Sequence, residues 1–397
     1  MSDRQIEDTP FSIDFLVAKI LSETGQSAEM SGWTVKPISV GQGFLAKIYK
    51  LQLQWAKKTD NLPDSVVLKV PTTARILDSL EKIQVQRKVS ATSKAQSTDM
   101  ILTMVPMMHA NECNFYRLFN NVGVPGVPKI FFEQKIANNQ PGLLVMQDFA
   151  GKAKNVNIAD GLSKIHVFQT VEVLAAVHAH SLKVSGWQSL FTELRKEHFQ
   201  TFHQNFKAVT ETLEILKPEY FPPRLNDKIG WISDPELVFN LVSKSHIELG
   251  MPAVIVHGDL WANNVMFWSN ADGSASDRLA AVIDWQMTHA GNAAEDLARL
   301  LLSSCSSDFR RKEYRNVLAF YLSKLEEKLG GKAEGLSLET LERAYFAILP
   351  YASMFFLSGI PMIIDSPVVE GKKKEQRVDK LLRRSKCIVE DLEALKH

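Results

Sequence analysis

The feature that most constrains the fold is a short apolar segment in which two strand-like stretches each lead into an aspartate. His257–Phe267 reads HGDLWANNVMF and follows the hydrophobic stretch Ala253–Val256, and Leu279–Trp285 further on reads LAAVIDW. Short apolar runs bounded by turn residues are typical of buried strands. The pattern therefore predicts a strand–loop–strand unit that presents Asp259 and Asp284 close together.

These residue types suit phosphoryl transfer. That reaction needs a carboxylate to orient or accept the proton of the attacking hydroxyl, and further oxygen ligands to hold Mg²⁺ against the phosphates. Asp259 fits the catalytic role and Asn264 and Asp284 fit the metal, while His257 is predicted to brace the loop. Turn formation at strand ends is the alternative for these residue types. The full string, with Asp259 five residues before Asn264, favours the site.

The N-terminal part of the chain has the alternation typical of strands. Ala46–Trp55 (AKIYKLQLQW) alternates apolar with polar residues, and Ser65–Val70 (SVVLKV) is a short β-branched run. The following residues, 72–105, are rich in Lys, Ser and Gln in their first part and predict an exposed insertion. Helical periodicity then begins in Met107–Phe119.

After Phe149 the periodicity is mainly helical. The clearest stretches with this period are Ile165–Leu182, Ala293–Leu302, Arg311–Leu329 and Leu336–Leu349. The sequence therefore predicts an α+β fold of two lobes that share a cleft. Residues 1–148 would form a small β-rich lobe with the insertion 72–105, and residues 149–397 a larger helical lobe that carries the catalytic loop.

The small lobe is expected to hold the nucleotide. Gly41, Gln42 and Gly43 precede a strand, where glycine lets backbone N–H groups approach phosphates, although two glycines also mark an ordinary hairpin turn. Lys69 lies in an apolar run in which an unpaired ammonium group is costly. It either reaches solvent from an edge strand or pairs with an anion, for which Glu112 is the candidate.

Three further sites carry weaker signals. Backbone groups of Met146 and Gln147, at the end of an apolar strand, are predicted to bind an adenine edge. Asp296 opens a helix, where the helix dipole favours an acid, and is also predicted to hold the catalytic loop. His178 and His180 lie on an otherwise apolar helix and are interpreted as packed rather than reactive.

Together these residues resemble a known family. HGDLWANNVMF, then VIDWQ at Val282–Gln286, EDLARLL at Glu295–Leu301 and ECNFY at Glu112–Tyr116, are similar to motifs of the kinase-like phosphotransferases that include choline kinases and aminoglycoside phosphotransferases. Within that group the chain looks most like the ecdysteroid-kinase-like (CHK-like) proteins. The resemblance implies a protein-kinase-like bilobal fold that uses ATP and Mg²⁺.

The resemblance also implies residue roles. Asp259 would be the base, Asn264 and Asp284 would bind the metal, and Lys69 would pair with Glu112. A second interpretation is a catalytically silent nucleotide-binding or scaffold module of the same fold. The intact set of these residues argues against it, since loss of catalysis usually removes one of them.

The chain departs from the family pattern in three places. Ala46 stands where a kinase-type phosphate loop has its third glycine, and Trp285 stands where the family usually has Phe. The polar stretch between Lys69 and Glu112 is long, which bears on the pairing of these two residues.

The segment after Asp284 indicates a small-molecule acceptor. It leads almost at once into the helix with Asp296, with no long activation segment and no Ala-Pro-Glu motif of the kind that forms a peptide platform in protein kinases. The acceptor wall is predicted to include Tyr345–Ile364, which is rich in Tyr, Phe, Met and Leu. Such a wall would suit a steroid- or lipid-like alcohol better than a polycation.

The same segment, Tyr345–Ile364, is uncharged and long enough to span a bilayer. Pro350, Gly359 and Pro361 are expected to break it, so a buried core segment is favoured over stable membrane insertion. Peripheral membrane contact through this segment is the alternative.

Charge and cysteine content bear on the binding partners and the cellular compartment. With 46 basic and 45 acidic residues the formal net charge is +1, which gives no reason to expect nucleic-acid binding. The 3 cysteines are widely spaced and suggest a reducing compartment. With no secretory signal recognised, a cytoplasmic location is expected. The oligomeric state is not indicated.

Overall fold

A computed structural model describes residues 4–38, 45–57, 59–73, 91–138 and 140–395, apart from the side chains of residues 91–97 and 100. The chain divides into two compact units. Unit 1 comprises residues 1–123 and 127–152, and unit 2 comprises residues 124–126 and 153–397. The sequence places this boundary between residues 148 and 149, whereas the structure places it between Lys152 and Ala153.

Unit 1 is built on an antiparallel sheet of five strands in the order β1-β2-β3-β5-β4. The strands are β1 Met30–Pro37, β2 Ala46–Trp55, β3 Ser65–Pro71, β4 Ile130–Gln134 and β5 Leu143–Gln147. The alternation of β2 buries Tyr49, Leu51 and Leu53 in one cluster with apolar residues of β3 and β5. Helix α1 (Ile13–Thr24) adds its apolar face to the same cluster, so the sheet has one covered side.

A long helix, α2 (Ala91–Phe119), connects β3 to β4. Residues 91–105 of the predicted exposed insertion 72–105 thus form the first part of this helix, and residues 74–90 lie outside the described part of the chain. Ile101, Val105 and Met108 are buried, and with Glu112 they recur at the spacing of one helical face. The average polarity of this stretch conceals that face.

Unit 2 is mainly helical, as the sequence predicts. Its helices within the described residues are α3 Lys164–Lys183, α4 Gln200–Leu216, α5 Leu225–Ile229, α6 Pro235–Ser243, α7 Ser245–Glu248, α8 Glu295–Ser304, α9 Ser307–Leu329, α10 Leu338–Ile364 and α11 Lys374–Leu395. α3 packs against α9, and α8 packs against α10. Every residue of α8 is buried, so this helix lies in the core of the unit.

α10 contains the segment expected to be broken by proline. The helix instead runs without interruption through Pro350 and Pro361, so that expectation is wrong. An interior proline costs a helix about 3 kcal/mol, and the extensive burial of the apolar residues around Pro350 offsets it. Within the described residues α10 is the one helix long and apolar enough to cross a membrane, and 67% of its most apolar window is buried inside the protein.

Five short strands of unit 2 carry the loops of interest. They are β6 Ala153–Asn155, β7 Val254–Val256, β8 Val265–Ser269, β9 Ala275–Val282 and β10 His289–Gly291. β6, β8 and β9 form one sheet, and β7 pairs with β10. The predicted catalytic loop thus lies between β7 and β8, and Asp284 lies two residues after the end of β9. The predicted α+β class is confirmed.

Candidate active site

The loop that joins β7 to β8 is held from behind by helix α8. The carboxylate of Asp296 accepts hydrogen bonds from the backbone N–H groups of His257 and Gly258, at 2.7 and 3.1 Å. Gly258 has a φ of 78°, and a Cβ there would overlap the carbonyl oxygen of Met287, so glycine is required. Asp296 lies in the first turn of α8, two residues after the N-cap residue Ala294. It therefore stands at the start of a helix and also holds the catalytic loop, the two roles that the sequence predicts for it.

His257 braces the same loop from inside, as the sequence predicts. Its Nε2 donates to the carbonyl of Ile283 at 3.0 Å, and its Nδ1 accepts from the N–H of Asp259 at 3.2 Å. These partners fix the neutral tautomer, because a carbonyl can only accept. Burial lowers the pKa of the imidazole to about 4. His257 therefore links the base of the loop to the end of β9 as a neutral side chain.

Asp259 and Asn264 contact each other across the loop. The Asn264 side-chain amide donates to the backbone carbonyl of Asp259 at 2.8 Å and to its Oδ2 at 3.2 Å. The side-chain NH₂ group of Asn264 is the donor in both bonds, which fixes the orientation of the amide. The side-chain carbonyl oxygen is not used in either bond. The backbone carbonyl of Asn264 also accepts from the N–H of Ile283 at 2.9 Å, which ties it to the residue before Asp284.

Asp284 has an unusual backbone conformation. Its φ and ψ are 68° and 53°, which lie in the left-handed region. This conformation costs free energy for any residue other than glycine and is found mostly at turns and functional sites. Gln286 Nε2 lies 3.4 Å from its Oδ2. The negative charge of Asp284 contributes to raising the pKa of Asp259.

Arg299 is a site residue that the sequence analysis missed. Its Nη2 lies 2.7 Å from Oδ1 of Asp259, and its guanidinium group stands 3.8 Å over the ring of Phe355. Arg299 is 5% exposed. The signal that could have found it is a single cation within the apolar run of α8, the same signal that singled out Lys69.

The electrostatic balance at Asp259 leaves its pKa at about 6. Burial raises the pKa most and the nearby charge of Asp284 adds to it, whereas Arg299 and the amide of Asn264 oppose the rise. A carboxyl group with a pKa closer to neutrality accepts a proton more readily than an ordinary aspartate. Its side chain remains 21% exposed, so a hydroxyl can approach it.

Behind the loop lies a buried acidic pair on α8. Burial, and then the neighbouring Glu295, raise the pKa of Asp296 to about 7. Oε2 of Glu295 lies 3.3 Å from Nε2 of His289. Burial alone would lower the pKa of His289, but Glu295 outweighs it and the pKa is raised.

The donor set in front of the loop fits Mg²⁺. Asn264 and Asp284 offer an amide oxygen and a carboxylate, which are the hard oxygen ligands that this ion uses together with water and substrate phosphates. Among the described residues there is no group of three or more His, Cys, Asp and Glu side chains placed to hold a metal.

In unit 1, Lys69 and Glu112 form the predicted ion pair. Nζ of Lys69 on β3 lies 2.7 Å from Oε2 of Glu112 on α2, and their side chains are 12% and 1% exposed. The pair joins the sheet to the helix that crosses it. Gly41, Gln42 and Gly43, the predicted phosphate-binding turn, lie outside the described residues.

The strand predicted to touch adenine is paired on both sides. Met146 on β5 lies opposite Val67 of β3 and Ile130 of β4, and the N–H of Gln147 donates to the carbonyl of Lys129 at 2.8 Å. That N–H is therefore engaged within the unit. The adenine contact at Met146 and Gln147 stays a prediction.

His178 and His180, two of the histidines of α3, are the ones that the sequence predicts to be packed. His178 is fully buried and its Nδ1 hydrogen-bonds the hydroxyl of Tyr321 at 2.8 Å, which agrees with the packed role predicted for it. Burial, with a smaller contribution from Lys183, lowers the pKa of His180.

Comparison with known proteins gives one family and several relatives. The family DUF1679, described as "Uncharacterized oxidoreductase dhs-27", matches residues 18–397. The protein named "Uncharacterized oxidoreductase dhs-27" from Caenorhabditis elegans is 26% identical over 365 residues, which cover 85% of this chain and 42% of that protein. "Uncharacterized kinase-like protein D1044.1" from the same nematode is 23% identical over 392 residues, covering 95% of this chain and 97% of the relative.

This chain thus spans less than half the length of the first relative and nearly all of the second. Among solved structures, the choline kinase of Cryptosporidium parvum Iowa II aligns with 90% of this chain and 90% of its own, at 12% identity and a TM-score of 0.48.

Proposed function

Since the chain belongs to the DUF1679 family and has an α+β fold, we propose that it is a protein-kinase-like enzyme, an ATP-dependent kinase of small molecules that transfers the γ-phosphoryl group to an alcohol hydroxyl. One observation carries the proposal. Asp259, braced by His257, is bonded to Asn264, and the backbone of Asn264 is tied to the residue before Asp284.

Asp259 is proposed as the base. Each of its carboxylate oxygens accepts one hydrogen bond, from Arg299 or from Asn264, and each oxygen has a second lone pair for the acceptor hydroxyl. The hydroxyl proton would pass to this carboxylate as the oxygen attacks the γ-phosphorus and the bond to the β-phosphate oxygen breaks. The carboxylate is held in place on both sides, so the hydroxyl would be oriented on binding.

Asn264 and Asp284 are proposed to hold Mg²⁺, which when bound would offset the negative charge of the phosphates. Lys69 is proposed to contact the phosphates of ATP, with Glu112 fixing the position of its ammonium group. A lysine held by a buried carboxylate at 2.7 Å loses little side-chain entropy when it binds an anion.

The acceptor is proposed to be a steroid- or lipid-like alcohol. The support comes from aromatic rings in unit 2 close to the Arg299–Asp259 pair. Phe355 lies against Arg299, and Phe202 and Tyr351 are within ring contact of Phe355. Rings of this kind bind flat apolar skeletons through their faces and edges.

Two other functions remain as outcomes of a test. One is a nucleotide-binding module without catalysis. The other is an oxidoreductase, the activity named in the description of the family. That description is the name of a relative of which this chain spans only 42%.

The test measures transfer of label from [γ-³²P]ATP with Mg²⁺ to a mixed metabolite extract, using the full chain. Asp259→Asn keeps the shape of the side chain but removes the base, and we expect at least a hundredfold loss of labelled product, since positioned acid–base groups contribute about 10²–10⁴-fold. Asp272→Asn, in the exposed turn between β8 and β9, is the matched control and should label the extract as the wild type does.

Binding of ATP without any transfer by the wild type would identify the silent module instead. Equal transfer by the wild type and Asp259→Asn would contradict the assignment of the base. Oxidation of NADH or NADPH with the extract, in place of transfer, would favour the oxidoreductase.

A further inference from the structure

The base of the proposed kinase is paired with a buried cation. Arg299 and Asp259 are joined at 2.7 Å, and Arg299 is 5% exposed while the side chain of Asp259 is 21% exposed. The more exposed member of the pair is thus the carboxylate of Asp259, and the side chain of Arg299 is the more buried one. Any alcohol that donates its hydroxyl to Asp259 brings its neighbouring atoms close to this fixed positive charge.

Besides its contact with Asp259, the guanidinium group packs against aromatic rings in the described part of unit 2. Phe355 packs on its face at 3.8 Å, and both Phe355 and its neighbour Phe202 are only half-buried. Phe199 meets Tyr351 edge-on at 6.2 Å, and Tyr351 meets Phe355 at 6.1 Å. The rings form a continuous group that can contact a ligand beside Asp259.

Apart from Asp284, which is proposed to hold Mg²⁺, the acids of this part of unit 2 have partners within the protein. Asp259 accepts from Arg299 and Asn264, Asp296 accepts from two loop amides, and Glu295 lies against His289. An ammonium group on an acceptor needs a carboxylate or a set of oxygen atoms to replace its water. Near the hydroxyl it would instead meet Arg299, and like charges repel strongly where water is largely excluded.

We propose that Arg299 and the rings beside it set the charge class of the acceptor, so that the site takes uncharged or anionic alcohols and excludes alcohols with a positive charge near the hydroxyl. The inference rests on the proposed kinase function and deepens it. Arg299 acts here as a specificity residue through its charge, in addition to positioning Asp259. A purely structural Arg299 would affect all acceptors alike.

The experiment separates a metabolite extract by ion exchange into cationic, neutral and anionic fractions. Each fraction is incubated with the full chain, Mg²⁺ and [γ-³²P]ATP, and label that depends on Asp259 is counted. We expect the wild type to label the neutral and anionic fractions at least tenfold more than the cationic fraction. Preference for the cationic fraction would overturn the inference while leaving the kinase function intact.

Variants then assign the preference to the charge of Arg299. Arg299→Met removes the charge, and although total label should fall, the ratio of cationic to neutral label should rise at least tenfold. Arg299→Lys keeps the charge and should keep the wild-type ratio. Arg310→Met, which removes another buried arginine that pairs with an aspartate, is the matched control and should also keep it.

A ratio unchanged in Arg299→Met would overturn the role of Arg299. The ratio is internal to each protein, so a general loss of folding or of catalysis does not move it, and the wild-type preference tests the inference without any variant. Absence of Asp259-dependent label in every fraction would overturn the kinase function, and the inference would fall with it.

Discussion

At the scale of single residues, two buried cations of this protein are compensated in the same way. Lys69 and Arg299 are both cations within apolar elements, and each meets a carboxylate at 2.7 Å. Removing one partner of such a buried pair leaves a charge without compensation and costs about 3–5 kcal/mol. Substitutions at Glu112 or Asp259 therefore affect stability as well as activity, and stability has to be measured beside every activity.

A buried imidazole away from the candidate site makes stability depend on pH. Burial lowers the pKa of His178 to about 3, so the folded protein keeps this side chain neutral. The unfolded chain binds a proton near pH 6.5, and the stabilisation present above that pH is lost as the pH falls toward 3. Between pH 6 and 4 His178 should thus contribute a slope of about 1.4 kcal/mol per pH unit.

The measurement is urea unfolding of the wild type and His178→Asn at pH 4.5, 5.5 and 6.5. The variant should show the shallower dependence of stability on pH. Tyr321→Phe is the control, because it removes the hydrogen bond to His178 but keeps the buried imidazole, and so it should keep the wild-type slope. Equal slopes for the wild type and His178→Asn would contradict the prediction.

The candidate site residues could be predicted where the chemistry needs a rare combination of types. Asp259 and Asp284 each follow a strand and Asn264 precedes one, at spacings that few other sites share. Lys69 stands out because an ammonium group is costly in an apolar strand. Arg299 was missed although the same cost applies. One charged position per helical turn normally faces solvent, and only the complete burial of α8 shows that this one does not.

At the scale of elements, two helices show what local patterns conceal. About half of α2 lies in the segment whose average composition predicts a polar insertion, whereas the spacing of Ile101, Val105 and Met108 decides which face is buried. α10 was expected to break at its prolines, because a local rule counts the lost hydrogen bond but cannot count the packing around Pro350. In both helices tertiary contacts outweigh the local preference.

The link between α8 and the catalytic loop yields a prediction of its own. Asp296→Ala leaves the backbone N–H groups of His257 and Gly258 without their acceptor, and each unpaired buried group costs about 1–3 kcal/mol. The variant no longer has to bury a carboxyl group, which offsets part of this cost. We therefore expect the free energy of unfolding to fall by about 2 kcal/mol. Urea unfolding gives the loss, and faster amide hydrogen exchange at these two residues locates it.

Asp308→Ala is the matched control for this element. Asp308 is also an acid in the first turn of a helix, α9, but it is exposed. Its removal should cost about 0.5 kcal/mol through the helix dipole alone. Equal losses for Asp296→Ala and Asp308→Ala would mean that the bonds to the loop contribute nothing measurable.

At the scale of the whole molecule, the division into two units follows from the change from strand to helix periodicity. The boundary itself depends on pairings between distant residues. β6 joins β8, and the carbonyl of Gly126 accepts from the N–H of Val282, which assigns both segments to unit 2. Such partners leave no local pattern, so the sequence can indicate two units without giving their limits.

The proposed kinase function assigns phosphate binding to Lys69 and metal binding to Asp284, and each assignment can be tested without knowing the acceptor. A ligand that binds only the folded protein stabilises it by about 2.7 kcal/mol at a hundred times its dissociation constant. We expect ATP with Mg²⁺ to raise the melting temperature of the wild type, and ATP with EDTA to raise it less. Lys69→Met in unit 1 should lose most of the shift under both conditions, because the phosphates lose their lysine.

Asp284→Asn in unit 2 should differ from Lys69→Met, because it should lose only the part of the shift that depends on Mg²⁺. If Asp284 holds the metal, the variant should respond to ATP as the wild type does in EDTA and gain nothing from Mg²⁺. Lys47→Met, which changes a partly exposed lysine on β2, is the control and should keep the full shift. A magnesium-dependent shift that survives in Asp284→Asn would place the metal on other residues, and a shift that survives in Lys69→Met would remove Lys69 from the nucleotide site.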